Sequence, residues 1–564
     1  VKAIKPLPRR KLYEKVPLLD CFTAPCKGGC PIHQDIPEYI ELCRKGAYAS
    51  ALRLITEKNP LPFITGTICA HNCMTKCMRN YYDEPVNIRA TKLVAAEKGY
   101  DAYMSKITPP APVTDGRKVA VIGGGPTGMS AAYFVGRAGI PVTLFEKADR
   151  LGGIVRQVIP AFRISDEAID KDVALIEKMG VEVKLNTEAP SVAELKAQGY
   201  THIFFAVGAW KAGRLDIPGN VVPVIGWLRD MKAGKDVSLG HVAVVGGGNT
   251  AMDAARAALR AGAKSSTLVY RRTKKYMPAD AEELEMAIAD GVEFLELVAP
   301  VEQKDGKLIC EKMKLGDPDD KGRRKPVPTG EMVEIPCDTV VSAVGEKVES
   351  EVFTRNGITV DEKGIPAFKT NLEGVYAGGD AMRGPATVVE GIADAQYFAN
   401  AVIGEAHKFA IPAKAVATRE EAVAKKGVLC ESAKCEGDRC LTCNVVCQVC
   451  ADVCPNRANV VIELPDGRQQ ILHVDRMCNE CGNCAVFCPY DSAPYREKFT
   501  LFLTREGFDE SVNNQGFLPL GGKKVLVRLD SKVFEADLDA KNDLPADIEV
   551  FIWTVLTKYA YLMG

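Results

Sequence analysis

Cysteine carries the clearest chemistry in this chain, because thiolate sulfur is a natural ligand of iron and the cysteines are regularly spaced. The run Cys478-x2-Cys481-x2-Cys484-x3-Cys488-Pro489 has the spacing that holds [4Fe–4S] clusters in bacterial two-cluster ferredoxins. In those proteins the fourth cysteine of each run serves the other cluster, so a partner run is expected upstream. It is present in altered form as Cys440-x2-Cys443-x3-Cys447-x2-Cys450-x3-Cys454-Pro455. Spacing therefore assigns Cys478, Cys481, Cys484 and Cys454 to one cluster. The other takes Cys447, Cys450, Cys488 and one of Cys443 or Cys440, because Asn444 stands where the first ligand would fall. At the opposite end lie Cys21-x4-Cys26-x3-Cys30-Pro31 and Cys69-x3-Cys73-x3-Cys77. These two sets of three thiolates suit one or two further [4Fe–4S] clusters if other groups complete them. Cys43 sits in a helical stretch and reads as a small buried hydrophobe, and Cys430 and Cys435 read as bystanders. Zinc fits poorly, since a structural zinc site needs a compact set of four ligands.

Between the cysteine groups the chain carries two phosphate-binding patterns. Lys118-Val-Ala-Val-Ile122 leads into Gly123-x-Gly125-Pro126-Thr127-Gly128 and then a helical stretch. The first glycine makes the turn, the second lets backbone approach a pyrophosphate, and the third lets helix pack on strand. A second strand, Val142-Thr-Leu-Phe145, ends at Glu146-Lys147, where a carboxylate can accept hydrogen bonds from an adenosine ribose. Gly152 and Gly153 follow. The pattern recurs at His241–Val245 with Gly246-x-Gly248-Asn249-Thr250, and the next strand, Ser266–Tyr270, ends at Arg271 and Arg272. Cations at that position suit the 2′-phosphate of NADP better than the bare ribose of NAD. Downstream, Gly378-Gly379-Asp380 can aim a carboxylate at a flavin ribityl chain, and Thr387-Val388 opens a helix facing the same cofactor. Phe204–Ala209, with Gly208, and Val340–Gly345 read as crossovers between the two dinucleotide-binding parts. Hydride transfer between two bound cofactors needs no catalytic triad, only the two rings held together. No side chain is therefore assigned a catalytic role.

The elements that must position these residues divide the chain into five expected domains of α/β class. Residues 1–112 form a helical iron–sulfur domain, with a helical pattern over 37–58. Residues 113–235 and 346–410 form an FAD domain with a Rossmann-like fold, interrupted by an NAD(P) domain at 236–345. Residues 411–500 form a ferredoxin-like 2[4Fe–4S] domain, and 501–564 a small α+β tail. At 564 residues the chain exceeds one core, and 47% apolar with 26% charged residues is the composition of a globular protein. A net charge of −1 disfavours a nucleic-acid binder. No uncharged apolar run reaches the ~18 residues of a membrane span. The 20 cysteines fall as seven in 21–77, eleven in 430–488 and two elsewhere, unlike a disulfide-stapled secreted domain. A reducing compartment, the cytoplasm, is expected.

The ordered motifs Gly123–Gly128, Ile159-Pro-Ala-Phe-Arg163, Ala206–Trp210, Gly246–Asp253, Tyr270-Arg-Arg272, Met277-Pro-Ala279 and Gly379-Asp380 carry a family resemblance. The chain resembles the small subunit of NADPH-dependent glutamate synthase, the N-terminal half of dihydropyrimidine dehydrogenase, and a subunit of electron-bifurcating transhydrogenases. With its carboxy-terminal run and tail it resembles the YgfK-like branch, whose members carry a further domain before the position of Val1. The resemblance implies FAD and NAD(P)H as electron partners, Arg163 as a cofactor-side residue, and other redox subunits or ferredoxin as partners. It also implies a cysteine at the position of Leu18 and a Gln or Glu ligand at the position of Lys92, both of which this chain lacks. Flavin-based bifurcation and a scaffold or sensor subunit without turnover stand as alternatives.

Overall fold

A computed structural model describes residues 11–19, 22–237, 239–319, 324–404, 416–428, 435–511 and 514–564. Cys21 and Cys430 lie outside the described residues. The chain separates into two compact units. One comprises residues 55–70 and 96–411. The other joins 1–54 and 71–95 to 412–564, so parts of the two cysteine-rich ends share one unit.

The first unit is built on two parallel five-stranded sheets. In the first sheet the strand order is Val375–Ala377, His202–Phe205, Val119–Ile122, Val142–Phe145, Glu182–Lys184. Val119 pairs with Val142 on one side and His202 on the other, so the glycine turn after Ile122 opens where the strand order reverses. Ligands bind at that switch point in open α/β sheets. The second sheet runs Val221–Pro223, Thr339–Ser342, His241–Val245, Ser265–Tyr270, Glu293–Glu296, again all parallel. β-branched runs such as Val119–Ile122 and His241–Val245 suit strands buried on both faces. The two crossovers leave their sheets side by side, Lys211–Ala212 pairing antiparallel with Glu346–Lys347. A three-stranded antiparallel sheet, Val298–Lys304, Lys307–Pro318 and Arg324–Pro336, was not foreseen within the nicotinamide part. It buries Cys310 beside Cys337, both in an apolar cluster.

In the other unit a six-stranded sheet runs Asn459–Glu463, Gln469–Val474, Thr500–Leu501, Gly516–Gly521, Lys524–Leu529, Lys532–Asp537. The helix Ala546–Lys558 covers it with Ile548, Phe551, Ile552 and Val555. The sheet passes through residue 500, where a domain boundary was expected. Phe499, Leu501 and Phe517 belong to one core, so the ferredoxin-like part and the tail fold together. The amino-terminal segment lies along this assembly: Leu12 N–H donates to Pro489 C=O at 2.8 Å, and Asp491 N–H to Glu14 C=O at 3.0 Å. The pattern over 37–58 resolves into two helices, Ile36–Arg44 and Tyr48–Thr56. Among the described residues no helix is long and apolar enough to cross a membrane.

Candidate functional site

One cavity of about 510 Å³ gathers most of the expected dinucleotide residues. Its first wall comes from the glycine turn and helix start Gly123, Gly125, Pro126 and Thr127. Helix Pro126–Arg137 begins there with proline in its first turn and no side-chain cap, a helix start suited to an anion. A second wall carries Glu146, Lys147, Gly153, Arg163 and Gly208. A third comes from Asn249 and Thr250, at the start of helix Asn249–Arg260 in the second sheet's half. Asp380, Thr387 and Val388 close it, the last two opening helix Val388–Ile403. Three helix N-termini thus face one space, and they come from both dinucleotide patterns.

Close backbone approach explains the glycines outside the lining. A Cβ on Gly128 would stand 1.8 Å from the Gly123 carbonyl oxygen, so the helix can reach the strand end only without a side chain. A Cβ on Gly246 would meet the Ala343 carbonyl oxygen at 2.2 Å, and one on Gly379 the Thr127 hydroxyl at 2.3 Å. Gly248 is different: nothing lies within 4 Å of a Cβ built there, so its surface is an open cradle at a helix start. Gly152 and Gly345 bend the chain beside the site with φ of 123° and 107°. The cradle, the bare N–H groups and the close turns fit a bound dinucleotide.

Several polar groups are engaged in ways that spacing alone did not reveal. Glu146 is buried, and its oxygens accept from Gly124 N–H at 2.6 Å and Ala148 N–H at 2.8 Å. The carboxylate therefore also pins the glycine turn. Arg163 joins the two halves of the unit: it pairs with Asp253 at 2.7 Å and with both oxygens of Glu283. Burial pushes the Asp253 carboxyl up to about 6, with Arg163 opposing and Glu283 adding to the rise. Trp210 and Glu346 also line the cavity, and burial raises the Glu346 carboxyl. Both follow the crossover strands, a signal visible only once the crossovers are placed. Arg271 is exposed and Arg272 half-buried at the end of strand Ser265–Tyr270, outside the lining.

Asp380 carries a consequence for pH. Burial pushes its carboxyl up to about 7, opposed by the Ala386 N–H (3.1 Å) and reinforced by Glu346, Glu390 and Asp394. The fold therefore holds a proton that the unfolded chain releases near the ordinary 3.8. More protons bound in the folded state means that stability falls as pH rises from about 4 to about 7. In flavin-free protein, Asp380→Asn is expected to raise the thermal midpoint, by nothing at pH 4 and by a full increment above pH 7. An offset independent of pH, from melting curves across that range, would refute the assignment.

Helix Pro62–Ile68 brings another chemical group to this unit. Its first N–H groups, of Phe63 and Ile64, donate to the buried Asp172 carboxylate at 3.1 and 2.8 Å. The helix ends at Cys69, and both neighbours of that cysteine, Ile68 and Ala70, line the cavity.

In the other unit the thiols gather in two places. Cys454, Cys478, Cys481 and Cys484 line one small cavity. Ala458 N–H donates to Cys454 Sγ at 3.2 Å and Glu480 N–H to Cys478 Sγ at 3.3 Å. Cys26, Cys77, Cys440 and Cys443 line a second cavity. Cys440 and Cys443, expected as alternatives within the carboxy-terminal run, thus both face amino-terminal cysteines. Asn444 is held aside, its Nδ2 donating to Glu38 at 2.5 Å. Cys30 and Cys73 are neighbours of the buried Tyr39, and Cys447 neighbours Cys443. Cys450 packs with Ile471 and Cys484, and Cys488 with Leu12, Val16 and Tyr490.

Residues 117–395 match the family model described as pyridine nucleotide-disulphide oxidoreductase. Residues 14–102 match the one described as dihydropyrimidine dehydrogenase domain II, 4Fe–4S cluster. The small chain of NADPH glutamate synthase from Escherichia coli strain K12 is 31% identical over 68% of this chain and 89% of its own length. The chain belongs to that family. It is an α/β protein that joins a pyridine nucleotide-disulphide oxidoreductase domain to a 4Fe–4S domain. YgfK of the same organism, named as an oxidoreductase, is 41% identical over 99% of the chain. The NADP(+)-dependent formate dehydrogenase subunit beta of Moorella thermoacetica is 36% identical over 66%. The chain spans 57% and 58% of the lengths of these two relatives.

Proposed function

We propose that this chain is the electron-input unit of a larger redox enzyme, exchanging electrons between NADPH, FAD and [4Fe–4S] clusters and a partner redox subunit or ferredoxin in the cytoplasm. The observation that carries the reading is the single cavity faced by three helix N-termini drawn from both dinucleotide patterns. When bound, the nicotinamide and flavin supply the hydride chemistry, and iron–sulfur clusters supply one-electron steps. The protein's part is to bind, orient and exclude water. The N-termini at Pro126 and Asn249 receive the two pyrophosphates, with Thr127 and Thr250 as side-chain donors. Glu146 holds the first turn and takes an adenosine ribose. Asp380 and the start of helix Val388–Ile403 serve the flavin's ribityl side. Arg163, tied to Asp253 and Glu283, fixes the two halves so that both rings share one space.

Viologen dye reduction by NADPH, measured anaerobically, tests this reading, and the basic turn gives it a specific arm. Arg271→Ala is expected to raise the KM for NADPH about tenfold, the loss of roughly 1.4 kcal/mol of phosphate contact. NADH use should change less than twofold. Equal loss with both cofactors would remove the role given to Arg271, and no dye reduction with either would remove the function.

A further inference from the structure

The amino-terminal cysteines are short of one ligand where the family carries a cysteine, at Leu18, and the structure shows why that position is closed to iron. Val16 N–H donates to Ser492 Oγ at 2.7 Å, and Lys498 Nζ to Pro17 C=O at 2.7 Å. Leu18 and Leu19 then turn into the apolar core of the six-stranded sheet, against the group that includes Phe499 and Phe551. Position 18 has become a packing position.

The same unit supplies thiols from the other end of the chain. Cys26 and Cys77 share their cavity with Cys440 and Cys443. Cys77, Cys440, Cys443 and Cys73 act electrostatically on Cys26, Cys77 acts on both Cys440 and Cys443, and Cys447 also acts on Cys443. Backbone N–H groups of Arg79 and Val86 point at Cys77, and that of Thr442 at Cys440. Charged side chains act on the same sulfurs: Arg79 and Arg439 on Cys77, and Lys425, opposed by Glu38, on Cys440. Arg79 is 1% exposed and fixed by Asp83 at 2.8 Å and by the Val428 carbonyl at 2.9 Å. The turn between Cys440 and Cys443 is strained: Thr442, β-branched, sits at φ 48° with a buried hydroxyl that makes no hydrogen bond among the described residues. Such strain persists where the surroundings enforce it, at sites rather than in ordinary loops. Here it turns two thiols the same way.

We propose that Cys26, Cys77, Cys440 and Cys443 together hold one [4Fe–4S] cluster, two ligands coming from each cysteine-rich end of the chain. Among the described residues no three Cys, His, Asp or Glu side chains close on a point that a single ion would occupy. Four thiols around a cavity are the donor set of a cluster, whereas zinc draws sulfur to ~2.3 Å on a single centre. Cys440 would then replace the cysteine that Leu18 lacks. The cluster would also staple Cys26 and Cys77 to Cys440 and Cys443, all four of which lie in one unit.

The inference rests on reading the thiols as iron–sulfur ligands, and the test separates the two. Full-length protein is purified anaerobically, and iron, acid-labile sulfide and zinc are counted per chain. Low-temperature electron paramagnetic resonance is recorded after dithionite reduction. Cys26→Ala, Cys440→Ala and Cys443→Ala are each expected to lose about four irons and the same signal, with flavin content unchanged. Cys43→Ala, the control, should keep the full count. Full iron in Cys440→Ala would overturn the inference while leaving the iron–sulfur reading intact. Loss in Cys443→Ala of the signal that Cys447→Ala removes, instead of the Cys26 signal, would overturn the four-ligand set. Zinc without iron in the parent protein would refute both. Should the variants fold poorly, alkylation of the parent protein decides. Cys26 and Cys440 should be protected together and become labelled together when ferricyanide and EDTA strip the cluster. Labelling of Cys440 while Cys26 stays protected would contradict the shared site.

Discussion

Replacing Gly128 with alanine is expected to leave the protein without flavin. The added Cβ would stand 1.8 Å from the Gly123 carbonyl oxygen, closer than real Cβ contacts come, and that oxygen belongs to the turn proposed to approach the pyrophosphate. Helix and strand end must separate, and the N-terminal N–H groups of helix Pro126–Arg137 move off the phosphate position with them. Overpacking of this kind costs about 1–3 kcal/mol, and here it falls on the element that holds the cofactor. Absorbance near 450 nm per chain reads the result. Iron content should stay at the parent level, since the helix and the two described cysteine-lined cavities lie in different units. Flavin retained at one per chain would show that Gly128 does not border the FAD site.

The second large effect separates cofactor binding from electron entry. In Gly246→Val the new side chain would meet the Ala343 carbonyl oxygen at 2.2 Å from its Cβ, at the turn leading to Asn249 and Thr250. Flavin should remain bound, because the first sheet and its glycine turn are untouched. Reduction by NADPH should slow about 10- to 100-fold, the kinetic equivalent of about 1–3 kcal/mol. Dithionite should still bleach the flavin fully. Loss of flavin in this variant would mean that the second glycine pattern serves FAD, reversing the two sites.

Local chemistry made much of this legible in the sequence. A glycine turn between a β-branched strand and a helix has one physical solution, so Gly123–Gly128 and Gly246–Gly248 announced both sheets and most of the cavity's walls. Spacing also grouped Cys454, Cys478, Cys481 and Cys484, which line one small cavity. What stayed hidden depends on contacts between distant segments. Glu346 and Trp210 reach the cavity only because two crossovers run side by side. Arg163 read as a cofactor-side residue, but its pairing with Asp253 and Glu283 comes from sequence separations of 90 and 120 residues. The expected boundary at residue 500 follows a change in composition, yet Thr500–Leu501 bridges two strands of one sheet. The placement of Cys440 and Cys443 is the strongest case. Their spacing to Cys447 suggested a local partner, and nothing in that spacing could point to Cys26, more than 400 residues earlier.

The central claim is that NADPH enters at the cavity shared by the two dinucleotide patterns and that its electrons leave through iron–sulfur centres. The most direct measurement mixes anaerobically purified protein with NADPH in a stopped-flow spectrometer, with samples frozen for electron paramagnetic resonance. The account predicts flavin bleaching within seconds, followed by reduced-cluster signals without any added mediator. Flavin that dithionite bleaches but neither NADPH nor NADH touches, or protein that purifies gently without flavin, would contradict it.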